Sequence, residues 1–370
     1  MVSCEKFYTS LISNDISFFA GVPDSLLKDI CAYITTNSPK EKHIITPNEG
    51  NAVAVCAGHY LSTGKIGLTY MQNSGQGNTI NPLASLMDDD VYSIPTLLLI
   101  GWRGEPGVKD EPQHVKQGKI TLDLLDVLGI PYKVLDEHFE DSIKKAKEYM
   151  CEHKKPYALI VKKKYFDSYT LEKDEADTLE LTREGALRSV LEKTQKKDII
   201  ISTTGKTSRE LFELREEFGQ THERDFLTVG SMGHASSIAM GIANNKPYRT
   251  IYCIDGDGAC LMHMGMLGLV GQSELKNFRH IVINNGAHDS VGGQPTIGFG
   301  VDFCKIALAC GYKSAHKVVN RDEIHLALEN ISEGPSFVEI HVRKGARKDL
   351  GRPTTTPKEN KDAFMQFVKE

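Results

Sequence analysis

The chain has 370 residues, of which 40% are hydrophobic and 25% charged, a balance that fits two or three globular domains and excludes a disordered or fibrous protein. It has 49 acidic and 44 basic residues, a formal net charge of −5, and its scattered basic residues argue against a nucleic-acid-binding face. Its eight cysteines form no CxxC pair, which favours reduced thiols over a disulfide framework, a zinc site or an iron–sulfur cluster. No apolar run approaches the roughly 18 residues of a membrane span, so we expect a cytoplasmic protein.

Short apolar runs alternate with segments of helical period along the first half of the chain. This pattern predicts the strands 43–47, 66–71, 93–101 and 157–161, and the helices 51–64, 118–129 and 141–153. Such alternation is typical of a mostly parallel sheet that helices cover on both faces. Residues 167–181 are polar and acidic without an apolar period, which predicts a linker.

The alternation restarts after this segment. It predicts the helices 182–195, 207–218, 234–244, 260–272, 301–310 and 321–331, and the strands 198–202, 225–229, 250–254, 280–284 and 336–340. We therefore predict an α/β protein with two doubly wound parallel-sheet domains, 1–166 and 182–342. A basic tail with several prolines, 343–370, follows and is expected to wrap over a surface.

One aspartate, Asp257, stands between two glycines just after a predicted buried strand. Glycine on each side lets a ligand approach the backbone closely, and the helix that follows offers amide groups to a phosphate. The next predicted strand ends at Asn284 and Asn285, so these side chains meet Asp257 at one sheet edge. Carboxylate and amide oxygens suit Mg²⁺. The alternative is a tight turn after one strand and an asparagine cap after the other.

The motif GDG, followed 25 residues later by NN, resembles the signature of the thiamine diphosphate-dependent enzymes. The resemblance implies a pyrimidine-binding first domain and a diphosphate-binding second domain, with no room here for the middle domain of larger members. It implies that Mg²⁺ is held by Asp257, Asn285 and the carbonyl of Ala287. It further implies that Met232 lies under the bent cofactor, whose other contacts would be Glu49, Thr204, Gly205, Gly230, Ser231, Gly256, Asp257, Gly258, Ala259 and Asn285.

The same family needs a glutamate at the start of a helix in the first domain, and Glu49 occupies that position. Its role there would be to exchange a proton with the aminopyrimidine ring. The alternative is an acid favoured by a helix N-terminus. A nucleotide-binding P-loop at GKT is excluded, because the first glycine of that motif would have to replace Ile200. Since the family joins its two domains across subunits, we expect at least a homodimer with active sites at the subunit interface.

Several segments look like the family of phosphonopyruvate and sulfopyruvate decarboxylases, among them YMQNSGQGNTINPLASL, WRGEPGVKDEPQHVKQGK and NNGAHDSVGGQPT. The resemblance implies non-oxidative decarboxylation of phosphonopyruvate to phosphonoacetaldehyde and CO₂ in phosphonate biosynthesis. Asp24 and His114 are the candidate catalytic proton donors. The alternative for Asp24 is a helix cap, and the alternative for His114, as for Gln113, is a surface loop. The candidate substrate contacts are Gln113 and the cations Lys206, Arg103 and Lys116, with Lys119 ranked last.

Two other functions remain open from the sequence. A sulfopyruvate decarboxylase would use the same machinery on a sulfonate, and the undivided chain mildly favours the phosphonate because sulfopyruvate enzymes are often split into subunits. A catalytically silent thiamine diphosphate-binding protein would tolerate the loss of Glu49 or Asp257, and both are intact.

Overall fold

The computed structural model describes residues 1–171 and 179–369. The chain divides into two compact units, Met1–Lys173 with Ser290–Gln294 (unit 1) and Asp174–Asp289 with Pro295–Glu370 (unit 2). Residues 172–178 of the predicted linker, 167–181, lie outside the described residues. Across the part that is described, no helix is both long enough and apolar enough to cross a membrane.

Unit 1 is a parallel sheet between two layers of helices. Its described strands are β1 (Phe19–Gly21), β2 (His43–Ile45), β3 (Leu68–Gln72), β4 (Leu97–Gly101), β5 (Tyr132–Val134) and β6 (Tyr157–Val161), in the order β2-β1-β3-β4-β6-β5. Its helices are α1 (Cys4–Ser13), α2 (Lys28–Asn37), α3 (Glu49–Thr63), α4 (Gln76–Ala84), α5 (Pro112–Val127) and α6 (Phe139–His153).

Alternating side chains of the central strand β4 explain the two helical layers. Leu97 and Leu99 pack with α1, α2 and α6, whereas Leu98 and Ile100 pack with α3, α4 and α5. Successive residues of a strand point to opposite faces, so a strand that is apolar throughout must be covered on both. Because helices cover both faces of the sheet, polar groups are left to lie at the carboxyl ends of the strands.

Unit 2 repeats this architecture. Its described strands are β7 (Ile199–Ser202), β8 (Asp225–Leu227), β9 (Ile251–Gly256), β10 (Phe278–Asn284), β11 (Ser314–Val318) and β12 (Ser336–His341), in the order β11-β12-β10-β9-β7-β8. Its helices are α7 (Arg183–Lys193), α8 (Lys206–Glu217), α9 (Ala235–Asn245), α10 (Asp257–Met262), α11 (Gly265–Gly271), α12 (Phe303–Cys310), α13 (Arg321–Glu329) and α14 (Pro357–Lys369).

Three elements of unit 2 differ from the sequence prediction, which lacks the strand β11 altogether. The single helix predicted over 260–272 is wrong, because the backbone of His263 leaves the helical region and separates α10 from α11. The predicted tail also contains a helix, α14, whose Phe364 is buried in the core. The Asn360 side chain donates a hydrogen bond of 2.9 Å to the carbonyl of Asp225 and so ties α14 to the edge strand β8.

Candidate active site

The carboxyl edge of the unit 1 sheet gathers the predicted acidic residues of that unit. Glu49 is the first residue of α3, after β2, and Asp24 follows β1. Arg103 follows β4, and β3 lies between β1 and β4. All parallel strands present their carboxyl ends on the same side, so the loops that follow four neighbouring strands share one edge.

Glu49 is buried, and its carboxylate is held from two sides. The Asn78 amide donates a hydrogen bond of 2.7 Å to Oε2. Gly75 packs so closely that a Cβ atom there would lie 2.3 Å from Oε1. Burial raises the pKa of Glu49, against the effect of the Asn78 hydrogen bond. A carboxyl group whose pKa is raised toward neutrality can both accept and return a proton.

Asp24 is completely buried, and burial raises its pKa to about 6. Its Oδ2 atom accepts a hydrogen bond of 3.0 Å from the Leu26 amide and lies where a side chain at Gly101 would be. The helix-cap alternative does not hold for α2, because the N-cap residue of that helix is Leu27. A buried aspartate with a raised pKa is suited to proton transfer.

Arg103 is already paired within unit 1. Its guanidinium forms a bidentate ion pair with Asp110, with a distance of 2.8 Å from Nε to Oδ2, and donates a hydrogen bond of 2.6 Å to the Ser25 hydroxyl. Burial by itself would raise the pKa of Asp110, but the hydrogen bonds from Arg103 and from the amides of Glu111 and Gly104, with the charge of Arg103, together hold that pKa far below its usual range. The charge of Arg103 is therefore largely neutralised, which makes it a poor candidate for holding a phosphonate.

Three predicted residues lie near the start of α5. His114 is buried, Gln113 is half-buried and Lys116 is exposed. The Oε1 atom of Gln113 has no hydrogen-bond partner among the described residues. This region is fixed by close backbone contact, since a Cβ atom at Gly104 would lie 1.9 Å from the His114 carbonyl oxygen. The surface-loop alternative is wrong for His114, which is buried in a helix.

In unit 2, Asp257 is the first residue of α10 and is buried at the end of β9. Burial raises its pKa to about 6, against hydrogen bonds from the Thr296 hydroxyl and from the amides of Asn285 and Gly258. The backbone of Gly298 touches this carboxylate, because a Cβ atom there would lie 2.5 Å from Oδ2. A bound cation would favour the ionised form of a carboxylate that burial otherwise makes costly.

The two asparagines after β10 have different partners. Asn285 donates a hydrogen bond of 3.0 Å to Asp289, and its Oδ1 accepts one of 3.1 Å from the Ala287 amide. Asp289 is in turn paired with the buried Arg183 at 3.0 Å. Asn284 donates to the buried Glu339 at 2.8 Å. The Asn285 amide is thus oriented with its oxygen away from Asp289, as a magnesium ligand requires.

The loop after β8 packs against the start of α10. Gly230, Ser231 and Gly233 have positive φ angles of 71°, 48° and 83°, so the backbone of this loop is tightly turned. A Cβ atom at Gly258 would lie 3.4 Å from the Met232 methyl group and 3.1 Å from the His288 ring. The structure therefore brings Met232 beside the GDG motif.

Thr204, Gly205 and Lys206 follow β7. The Thr204 hydroxyl accepts a hydrogen bond of 3.2 Å from the Gly230 amide, which joins this loop to the loop after β8. Gly205 has a φ of 95°, and α8 begins after it without a side-chain cap. The first amides of α8 are therefore not capped by a side chain and point to this edge. Lys206 is half-buried and forms no ion pair with any residue that the structure describes.

The donor set fits thiamine diphosphate with Mg²⁺. The oxygen atoms of Asp257, Asn285 and Ala287 are hard ligands. A Cβ atom at Gly256 would have no neighbour within 4 Å, which leaves room beside the backbone for a phosphate. Ala259, the third residue of α10, is buried. In unit 1, the buried carboxyl group of Glu49 suits a ring nitrogen that exchanges a proton.

The sequence did not point to the supporting residues of the site. They include Gly75, Asn78, Asp289, Thr296 and Glu339. Each acts by touching a predicted residue from a separate segment, so only the fold shows the pairing. Gly75 and Asn78 could have been found from the sequence, because both belong to the motif YMQNSGQGNTINPLASL and stand three residues apart, which is a helical spacing.

Comparison with known proteins identifies the class. Residues 4–126 match the family described as "Thiamine pyrophosphate enzyme, N-terminal TPP binding domain", and residues 204–340 match "Thiamine pyrophosphate enzyme, C-terminal TPP binding domain". The chain belongs to the thiamine pyrophosphate enzymes. Its two units carry the two thiamine diphosphate-binding domains of that family. The predicted fold class, the cofactor and the assignment as an enzyme are confirmed.

Individual relatives are more specific. The chain is 32% identical to a phosphonopyruvate decarboxylase of Streptomyces viridochromogenes, over 100% of this chain and 95% of that protein. It is 31% identical to a phosphonopyruvate decarboxylase of Streptomyces hygroscopicus, with the same coverage. A sulfopyruvate decarboxylase of Methanosarcina acetivorans is 27% identical over 91% of this chain and 90% of that protein. The predicted resemblance to phosphonopyruvate decarboxylases is confirmed.

Proposed function

We propose that this chain decarboxylates phosphonopyruvate to phosphonoacetaldehyde and CO₂ as a step of phosphonate biosynthesis, with thiamine diphosphate and Mg²⁺. The observation that carries the proposal is similarity over the whole chain to two phosphonopyruvate decarboxylases. The bond between the carboxylate and the carbonyl carbon breaks, CO₂ leaves, and a proton replaces it on that carbon. When bound, thiamine diphosphate supplies an acceptor for the electron pair that CO₂ leaves behind.

In the proposal, unit 2 holds the charged end of the cofactor. Asp257, Asn285 and the Ala287 carbonyl bind Mg²⁺. The diphosphate and thiazolium ring contact the loops at the carboxyl edge of the sheet, at Thr204, Gly205, Gly230, Ser231, Met232, Gly256, Gly258 and Ala259. The contact between Met232 and Gly258 supports this assignment, because it places the bulky side chain next to the proposed magnesium ligand.

Unit 1 supplies the proton chemistry. Glu49 exchanges a proton with the aminopyrimidine ring, which its burial and raised pKa support. Asp24 delivers the proton that replaces CO₂, with His114 as the second candidate. A pKa of about 6 lets Asp24 carry a proton at a useful fraction near neutral pH. Gln113 is proposed to donate to the substrate.

Lys206 is the cation that we assign to the phosphonate. It is half-buried and lies at the first turn of α8, where uncapped amides also favour an anion. Arg103 is engaged with Asp110 and Ser25, and Lys116 is exposed at the start of α5. A lysine that is not already neutralised retains its charge for the substrate.

Sulfopyruvate decarboxylation is the second candidate. The undivided chain does not discriminate, since the relative from Methanosarcina acetivorans also aligns as one nearly full-length chain. The lower identity to that relative favours the phosphonate. Phosphorus NMR of the protein with thiamine diphosphate, Mg²⁺ and phosphonopyruvate should show phosphonoacetaldehyde. A parallel sample with sulfopyruvate should release little aldehyde, whereas turnover of sulfopyruvate alone would overturn the substrate assignment.

We propose further that the enzyme is a cytoplasmic homodimer or larger homo-oligomer, with each active site completed by a second copy. The support for this is the resemblance to a family that joins its two domains across subunits. Co-expression of Glu49→Gln and Asp257→Ala chains tests the idea. Random pairing should restore about a quarter of wild-type activity, because half the dimers are mixed and each holds one intact site. If both residues serve a site within one chain, the mixture stays as inactive as either variant.

A further inference from the structure

A group of metal-ligating side chains lies in the core of unit 2, apart from Asp257. Cys253 and Asp255 are alternate residues of β9 and so face the same side of the sheet. His280 of β10 is the register partner of Cys253. All three side chains are buried, and a sulfur, an oxygen and a nitrogen atom from them lie within 4.8 Å of one another.

Two atoms of this group lack the partners that a buried polar atom normally has. Asp255 Oδ2 and His280 Nε2 lie 3.7 Å apart, which is longer than a hydrogen bond of about 2.7–3.2 Å. Neither atom has a hydrogen-bond partner anywhere in the described chain. Unpaired polar atoms are rare in a protein interior and call for a ligand or another explanation.

The separation fits a metal ion better than a water molecule. Tetrahedral zinc with bonds of about 2.0–2.2 Å to oxygen and nitrogen holds those two ligands roughly 3.4 Å apart. A water that accepts and donates ordinary hydrogen bonds would hold the two atoms roughly 4.5 Å apart. The other ring nitrogen of His280, Nδ1, lies 3.1 Å from the Tyr312 hydroxyl. A hydrogen bond to the nitrogen that does not bind the metal orients the ring of a metal-binding histidine in the same way.

We propose that Cys253, Asp255 and His280 bind one zinc ion in the core of unit 2. Mixed sulfur, nitrogen and oxygen donors suit zinc, whereas magnesium prefers oxygen alone. The absence of a CxxC pair argues against zinc at the level of the sequence. That pattern does not detect this site, because its ligands come from alternate positions of one strand and from the neighbouring strand.

The ion would connect the two strands that carry the proposed magnesium ligands. Asp255 stands two residues before Asp257 on β9, and β10 ends just before Asn285. A zinc ion between these strands would fix the spacing of their carboxyl ends without touching the substrate. Its role is therefore structural, and the proposal does not depend on the reaction that the enzyme catalyses.

Metal analysis of the purified full chain tests the site. Protein from zinc-supplemented cells, passed through a column with a chelator to strip loose metal, should retain about one zinc per chain. Cys253→Ala and the isosteric Asp255→Asn should each reduce the zinc content at least about tenfold. Cys304→Ala, a change to a cysteine in the same core but outside the group, should leave it unchanged. Asp257→Ala should also keep its zinc, which separates this site from the magnesium site.

A second readout does not depend on the yield of zinc. Protein produced with cobalt should show thiolate-to-cobalt absorption in the near ultraviolet, and Cys253→Ala should abolish it. Circular dichroism checks that each variant is folded. If Cys253→Ala does not fold, Asp255→Asn still decides the test. Wild-type protein with less than about a tenth of a zinc per chain would overturn the proposal. Equal zinc content in wild type and folded Asp255→Asn would do so as well.

Discussion

The contact between Gly75 and Glu49 offers a sharp test of the proposed role of Glu49. Gly75 has a φ of −76°, which alanine adopts readily, so Gly75→Ala introduces no backbone strain. The added Cβ atom would lie 2.3 Å from Oε1 and 2.5 Å from Cδ of Glu49. Ordinary contact begins at 3.4 Å, so the carboxylate must move by about 1 Å.

A displacement of this size should affect catalysis more than folding. Misplacing a catalytic group by about 1 Å can lower the rate roughly 100-fold. Overpacking of the buried Glu49 should cost about 1–3 kcal/mol of stability, within the range that a folded domain tolerates. Gly77→Ala is the matched control, because a Cβ atom at Gly77 would meet nothing within 4 Å. Gly77 lies in α4, where alanine is favoured over glycine.

The assay is the steady-state release of CO₂ from phosphonopyruvate at saturating cofactor. Thermal unfolding and cofactor titration are run on the same samples, so that loss of fold or of binding is not mistaken for loss of turnover. Gly75→Ala should turn over about 100-fold more slowly than Gly77→Ala. A rate within twofold of that control would refute either the packing of Glu49 on Gly75 or its part in the reaction.

Four further predictions follow from the site residues. Glu49→Gln should still bind cofactor but lose about 10²–10⁴-fold in turnover, because an amide cannot exchange the proton; cofactor titration and rates separate the two effects. Magnesium-dependent cofactor affinity should fall as the pH drops through about 6, where Asp257 becomes protonated, and titrations on both sides of that pH measure it. Asp24 binds its proton more tightly when folded than when unfolded, so its contribution to stability is lost as the pH rises through about 6. Urea unfolding should therefore show Asp24→Asn to be more stable than wild type at neutral pH, by up to ~3 kcal/mol, yet less active. Lys206→Met should raise KM for phosphonopyruvate about 10–100-fold, with a smaller effect on kcat. Lys206→Arg should restore part of this loss. An unchanged KM in Lys206→Met would show that Lys206 does not hold the phosphonate.

The pattern of the sequence was sufficient for most of the strands and insufficient for β1, β5 and β11. The strand β6 has the predicted bounds, because a run of five apolar or aromatic residues can only be a central strand here. The three-residue strands β1 and β5 are too short to show a period. The edge strand β11 has one fully buried residue, Val318, so its sequence carries little hydrophobic signal. Their places are set by pairing with neighbours.

The candidate site shows the same division between local and tertiary information. Asp257 and Asn285 could be paired from the sequence, because consecutive strands of one sheet end at one edge and the motif between them has a fixed length. The orientation of the Asn285 amide could not be predicted from the sequence, because it depends on Asp289 and on Arg183. These two residues are 106 positions apart in the chain. Hydrogen bonds between distant segments leave no periodic trace in a sequence.

Arg103 and Lys206 show why side-chain pairing decides which cation can serve a substrate. Both follow strands at the edge where ligands bind, and from the sequence alone the two candidates differ only in the order in which we rank them. Asp110 lies seven residues after Arg103 and folds back to form the ion pair, so that guanidinium has little charge left to attract a dianion. Lys206 forms no close ion pair among the described residues, although its charge acts on Glu210 from a distance, so a phosphonate there would meet a lysine beside uncapped helix amides. Removal of Asp110 would therefore free Arg103 from its ion pair, but we do not expect it to create a second phosphonate site. Arg103 is in unit 1 beside Asp24, and a phosphonate bound there would bring a second negative charge close to Asp24. That charge would raise the pKa of the buried Asp24 carboxyl group further.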